Sequence, residues 1–201
     1  AGRQDVTFFV VMGVCPVQAN PGADAATLCT YAQIAGLTTD SGYLHRFEPT
    51  MLNELKEQQL LLGELERALD NHEFCFFLQP KCNSITRAIV GMEALVRWNH
   101  PVLGVVSPAV FIPVLESNGY ITKLDQYIWE EVCKTIRVWI DEGVRPMPIT
   151  VNVTKTDILA IDVAEFFSGM LKKYRIPPKY LDIDISRTAY LETHDVLSET
   201  V

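Results

Sequence analysis

Apolar and polar residues along this chain follow two alternating periods. Residues 6–15 (VTFFVVMGVC) form a β-branched and aromatic run bracketed by Gly13 and Pro16, which predicts a buried strand. A turn follows at 20–24 (NPGAD). Over 24–36, apolar residues at 25, 28, 29, 32 and 35 give one helical face, closed by Gly36. A strand–turn–helix unit of about 45 residues cannot bury itself alone. Residues 49–70 predict a longer helix with Leu52, Leu55, Leu62, Leu65 and Leu69 along one stripe. The spacing of Leu55, Leu62 and Leu69 suits either a coiled-coil seam or a linker helix lying on its neighbour.

From Phe74 onward, strand and helix patterns alternate. Strands are predicted at 74–78, 88–98, 149–153 and 181–186, with a turn at 81–87. A helix over 108–118 has Ser107 as N-cap and Pro108 in its first turn. A longer one over 123–142 carries Leu124, Ile128, Val132, Ile136 and Ile140 at spacing four, with Gly143 after it. A third, over 162–174, ends in Lys172 and Lys173, which suit its dipole, and Pro177-Pro178 stop it. Such alternation with short connections predicts βαβ units and a parallel sheet.

Composition narrows the class without fixing it. The chain has 201 residues, 48% apolar and 21% charged, enough for one globular domain or two small ones. Its net charge of −8 argues against a general DNA or RNA binder, which needs a basic face. A small anionic ligand stays open, because a local arginine or metal ion overrides net charge. Cys15, Cys29, Cys75, Cys82 and Cys133 form no Cys-x-x-Cys pair, which predicts a reducing cytosolic setting with most of them as small core residues. The longest apolar run, 8–15, is far short of the roughly 20 residues that span a bilayer, and no basic segment precedes it. A membrane tether on a longer parent protein stays open.

The candidate chemistry centres on Glu93-Ala94-Leu95 and Arg97, followed by Trp98 and His100-Pro101. On a strand, Glu93, Leu95 and Arg97 share one face. A carboxylate and a guanidinium aimed into one space can begin a phosphodiester site, or can simply form an edge-strand ion pair. His100 reads as structural, and Glu116 as part of a helix terminus before Gly119.

Further blocks accompany this core: Phe76-Phe77-Leu78-Gln79-Pro80-Lys81, Ser107-Pro108, Phe111-Ile112-Pro113, Glu116-Ser117-Asn118-Gly119, Val151-Asn152-Val153-Thr154, and Leu181-Asp182-Ile183-Asp184-Ile185-Ser186. In this order and spacing they resemble the EAL domain family, bacterial cyclic di-GMP phosphodiesterases, from about residue 65 to Val201. Residues 1–48 resemble, over a shorter match, the last part of a GGDEF (diguanylate cyclase) domain, although the Gly-Gly-Asp-Glu-Phe loop is absent from this chain. The resemblance implies an α/β fold: residues 71–201 as the first half of a modified (β/α)8 TIM-type barrel, 49–70 as a linker helix, and 1–48 as a strand–helix GGDEF remnant. A whole barrel takes about 250 residues against roughly 130 in the EAL-like part. Val90, Leu95, Val151, Val153 and Ile185 are the candidates for its barrel core.

The resemblance also implies roles. Glu93 and Asn152 match metal ligands of the family, and Asp184 takes the place of a glutamate ligand in the family's Glu-(Ile/Leu/Val)-Thr-Glu motif. Gln79, Leu95 and Arg97 match groups that bind the dinucleotide. The cofactor implied is Mg²⁺ or Mn²⁺, and the reaction is hydrolysis of cyclic di-GMP to the linear dinucleotide. Two departures stand against turnover: the motif reads Asp184-Ile185-Ser186-Arg187, and the family's later ligands and general base are expected beyond Val201, so the chain as given is expected to be inactive. The alternative is a non-catalytic EAL module that binds nucleotide or a protein partner. Self-association through the linker helix or an open barrel edge is expected, in a bacterial cytoplasmic setting.

Overall fold

The computed structural model describes residues 10–37, 43–187, 189–191 and 193, so the predicted strand at 6–15 lies partly outside the described residues. The chain forms two compact units, divided between Leu60 and Leu61.

In the first unit, β1 (Met12–Val14) pairs in parallel with β2 (Leu44–Arg46). Helix α1 (Ala25–Gly36) starts at Asp24, whose carboxylate accepts from the Thr27 N–H at 2.7 Å. Gly36 is the last helical residue, closing the helix where the sequence places its end, and it also provides clearance. A Cβ on Gly13 would lie 1.8 Å from the Ala32 carbonyl oxygen and 2.4 Å from the Gly36 nitrogen, so β1 and α1 touch through bare backbone. Tyr31 stacks on Phe47 with ring centroids 4.2 Å apart.

Helix α2 (Pro49–Asp70) has the predicted bounds and runs from the first unit into the second. Over its last turns the leucine stripe is used for packing: Leu65 and Leu69 are buried, with Leu62 against the same core.

The second unit holds a five-stranded sheet. Strand β3 (Phe74–Cys82) pairs with β4 (Ile89–His100), β4 with the short β5 (Gly104–Val106), β4 with β6 (Ile149–Val153), and β6 with β7 (Leu181–Ile185). The sheet is mixed rather than all parallel: β3–β4 and β4–β5 are antiparallel, and β4–β6 and β6–β7 are parallel. The connection at 83–88 decides this, because a parallel crossover needs about a dozen residues or more. The Asn83 side chain accepts from the N–H groups of Ile85 and Thr86, both at 2.9 Å, and Arg87 takes φ 60°, so the chain reverses at once into β4. β5 was not foreseen. His100 shapes the turn into it: Nδ1 accepts from the Val102 and Leu103 N–H groups at 3.1 Å each, which leaves Nε2–H to donate to Glu64 at 2.7 Å.

Helices α3 (Pro108–Ser117), α4 (Ile121–Asp141), α5 (Lys155–Ala160) and α6 (Val163–Tyr174) complete the unit. The apolar stripe of α4 packs on Phe74, Trp98, Ile149, Val151 and Val153. Val151 and Val153, expected in the barrel interior, are buried in this helix-covered core instead, whereas Val90 is exposed. Trp98 and Phe111 meet edge-on at 5.8 Å, and the Trp98 indole donates to Glu73, which also pairs with Arg67. Of the cysteines only Cys133 is buried; Cys29 and Cys82 are exposed, so most of the five are not core residues. Among the described residues, no helix is long and apolar enough to cross a membrane.

Candidate functional site

The strand register turns a scattered set of side chains into a row. Gln79 of β3 stands opposite Glu93 of β4, and Asn152 of β6 stands opposite Asp184 of β7. Glu93 itself stands opposite Thr150 of β6, so the two pairs are offset by two residues along the sheet, and they meet where Asn152 Nδ2 donates to Glu93 Oε1 at 3.0 Å. Residues paired across a sheet project from the same side, so the row runs over four strands on the side away from Val151 and Val153. Toward the other end of β6, Lys81 Nζ donates to Thr150 Oγ1 at 2.9 Å.

Arg97 and Glu93 do not pair with each other, which removes the edge-strand ion-pair reading. The Arg97 guanidinium lies 5.4 Å from the centre of the Phe77 ring, and its Nη1 donates to the Val96 carbonyl at 2.7 Å. Phe77 is itself 52% exposed, so this aromatic platform is open to a ligand. Leu95 is the cross-strand neighbour of Phe77. Arg97, Leu95 and Asn152 also line a cavity of about 170 Å³ beside the carboxyl end of β6, with Glu116, Asp125 and Trp129 among its other walls.

The structure therefore brings Gln79, Glu93, Asn152 and Asp184 onto one face of the sheet in a staggered row, with Leu95 and Arg97 beside the same cavity as Asn152. Among the described residues there is no group of three or more His, Cys, Asp or Glu side chains close enough to hold a metal ion. The set offers two carboxylates and two amides. Asp184 is exposed, and Ser186 after it accepts from the Ala189 N–H at 3.1 Å. His100 is buried and structural, as its sequence context suggested.

Three residues at this end of the sheet were not singled out from the sequence. Trp129, buried in α4, donates its indole N–H to the Asn152 carbonyl at 3.1 Å. Asp157 is fully buried and closes a capping box with Thr154 at the start of α5. Burial, and then the Asp157 charge, push the Asp125 carboxyl up to about 8. The Thr-x-x-Asp spacing at 154–157 is a readable helix-start signal; the burial of the two acids has no comparable signature.

A profile of the EAL domain family matches residues 62–201. A bifunctional diguanylate cyclase/cyclic di-GMP phosphodiesterase, MucR of Pseudomonas aeruginosa, is 28% identical over 149 residues, 74% of this chain and 22% of that protein. The solved MucR phosphodiesterase in complex with c-di-GMP superposes with a TM-score of 0.63 at 26% identity, over 70% of this chain and 59% of that one. A Vibrio cholerae LapD structure spanning S helix, GGDEF and EAL covers 90% of this chain and 44% of its own at a TM-score of 0.61; its 16% identity speaks for the fold alone. The chain thus spans less than two thirds of the length of these relatives. The matched segment holds the row and the cavity, and the chain belongs to the EAL domain family.

Proposed function

We propose that this chain carries part of a metal-dependent cyclic di-GMP phosphodiesterase site, in which Glu93, Asn152 and Asp184 hold a divalent ion and Gln79, Leu95 and Arg97 face the dinucleotide. The observation that carries the reading is the contact of Asn152 with Glu93 across neighbouring strands, inside the family segment. The donor chemistry fits: all three side chains offer hard oxygen ligands, which suit Mg²⁺ or Mn²⁺. With its N–H group donating to Glu93, the Asn152 amide keeps its oxygen as the ligand atom. A bound ion would polarise a phosphoryl oxygen and lower the pKa of a bound water. Arg97, held by Phe77, contributes a charge-assisted contact to phosphate. Residues 1–48 are read as the end of a GGDEF-type domain, a reading that the strand–helix order of β1 and α1 fits.

A second reading, a module that binds the nucleotide without turning it over, is favoured by Asp184 and Arg187. Asp184 is shorter than glutamate by one methylene, about 1.5 Å. Arg187 puts a cation where the family motif has a carboxylate.

Calorimetric titration of the 201-residue chain with cyclic di-GMP and Mn²⁺ tests both. Saturable binding is expected, weakened about tenfold or more by Arg97→Ala, in line with roughly 1.5–3 kcal/mol for a hydrogen bond to a charged group. No binding, or binding that survives both Arg97→Ala and Glu93→Ala, overturns the assignment. Chromatography then separates the readings: linear dinucleotide formed by the chain but not by Glu93→Ala means catalysis, and binding without product means the regulator.

A further inference from the structure

Two buried carboxylate oxygens beside the site lack any hydrogen-bond donor: Oδ2 of Asp125 and Oδ1 of Asp157. They belong to different helices, α4 and α5, which pack against each other, and the charge of Asp157 bears on the Asp125 carboxyl. Two ionised carboxylates cannot satisfy one another, since each only accepts. One proton between them satisfies both orphaned oxygens at once.

The rest of each acid is tied to the end of β6. The other oxygen of Asp157, Oδ2, accepts from the Thr154 N–H at 2.8 Å and from the Thr154 hydroxyl at 2.7 Å. Thr154 follows Asn152 by two residues. One turn along α4 from Asp125, the Trp129 indole donates to the Asn152 carbonyl. The strand end that presents Asn152 is therefore gripped from α5 through Asp157 and from α4 through Trp129. The packing of α4 on α5 joins the two grips.

We propose that Asp125 and Asp157 share a single proton, and that this acid–acid hydrogen bond is a positioning device that fixes the Asn152 end of β6. The ionisable groups turned toward the pair are Glu116 of α3 and Arg97 of β4, which line the same cavity as Asp125. Glu116 adds negative charge near Asp125 and so favours keeping the proton. Raising the pH releases that proton to solvent and leaves two buried like charges face to face. The repulsion opens α4 from α5 and loosens the grip on Asn152. The significance of Asn152 rests on the function proposed above; the proton and the strand end do not.

The readout is therefore placed on the protein alone. In a ¹H–¹⁵N spectrum of the full chain, the Trp129 indole N–H reports its bond to the Asn152 carbonyl. Its resonance is expected to titrate between about pH 6 and pH 10, centred near the Asp125 value of about 8. Asp157→Asn keeps a donor in place permanently, because the new amide N–H donates to the Asp125 carboxylate. It should hold the low-pH Trp129 signal throughout and abolish the titration, whereas Asp157→Ala should lose the signal at every pH. Asp125→Asn makes the converse test if Asp157→Asn does not fold. A Trp129 resonance that does not titrate in the wild type overturns the proposal; so does a titration that persists in both asparagine variants. The former is the result expected if a water molecule bridges the two oxygens instead. If Trp129 titrates but cyclic di-GMP binds at no pH, the proposed function fails and the shared proton stands. If both hold, affinity falls at high pH in the wild type and not in Asp157→Asn.

Discussion

Trp129 packs against Phe166 and Phe167 and still finds a partner for its one polar atom, the Asn152 carbonyl. Trp129→Phe keeps most of the aromatic contact and orphans that carbonyl. The expected loss is about 1–3 kcal/mol in urea unfolding, the cost of a buried acceptor without a donor; an unchanged midpoint would mean that water replaces the indole. Residues such as Gln79, Glu93, Arg97 and Asn152 were legible in the sequence because strand alternation and strand ends leave a pattern. Asp125 was not. It lies four residues from both Ile121 and Trp129, on the buried side of α4, where a carboxylate reads by default as solvent-facing. Only the partner acid, brought in by α5, gives it a reason to be there.

Helices with a clear apolar period were legible almost to their ends, as α2 and α4 illustrate. β3 runs antiparallel to β4, against the parallel sheet that strand–helix alternation implies, because the two strands are joined by a tight turn with no helix between them. α5 was missed because its six residues carry less than two turns of pattern. At β1 the structure sets a sharper test. Gly13→Ala would drive a Cβ into the Ala32 carbonyl and the α1 backbone, and a clash of that kind unfolds rather than merely weakens. All three tryptophans lie beyond residue 60, at 98, 129 and 139. Gly13→Ala is therefore expected to lower far-UV helical signal at 25 °C while leaving the tryptophan emission transition in place. Loss of both together would show that the two units melt as one.

For the whole molecule, the acids pull stability in opposite directions as pH changes. Lys173 and Tyr174 hold Glu130 below the ordinary glutamate range, so its contribution is present above that range and lost as pH falls through the lowered value. Asp125 has the opposite sign. Its carboxyl is raised from 3.8 to about 8, so the folded state holds a proton that the unfolded chain releases. The stability it contributes is complete below 3.8 and is lost progressively as pH rises to about 8. Chemical denaturation at a series of pH values should show the midpoint falling across that window and levelling above it. Asp125→Asn should flatten the slope, and a slope that persists would place its source elsewhere.

The polar row also has an order of assembly. Gln79 and Glu93 come together within one hairpin, a local event on the microsecond scale. Asn152 reaches Glu93 across 59 residues, and the cost of closing so long a loop predicts that this contact follows the packing of α3 and α4. On the metal site proposed above, the hairpin alone holds one carboxylate and one amide, too few oxygens to retain a divalent ion, and affinity would arise only when β6 docks. An ion that binds the docked row and not the open hairpin acts as a latch on the slowest contact. Mn²⁺ should then raise the melting temperature of the chain by mass action, steeply with concentration. In Asn152→Ala the hairpin still forms but the latch has nothing to close on, and the same titration should leave the melting temperature unmoved.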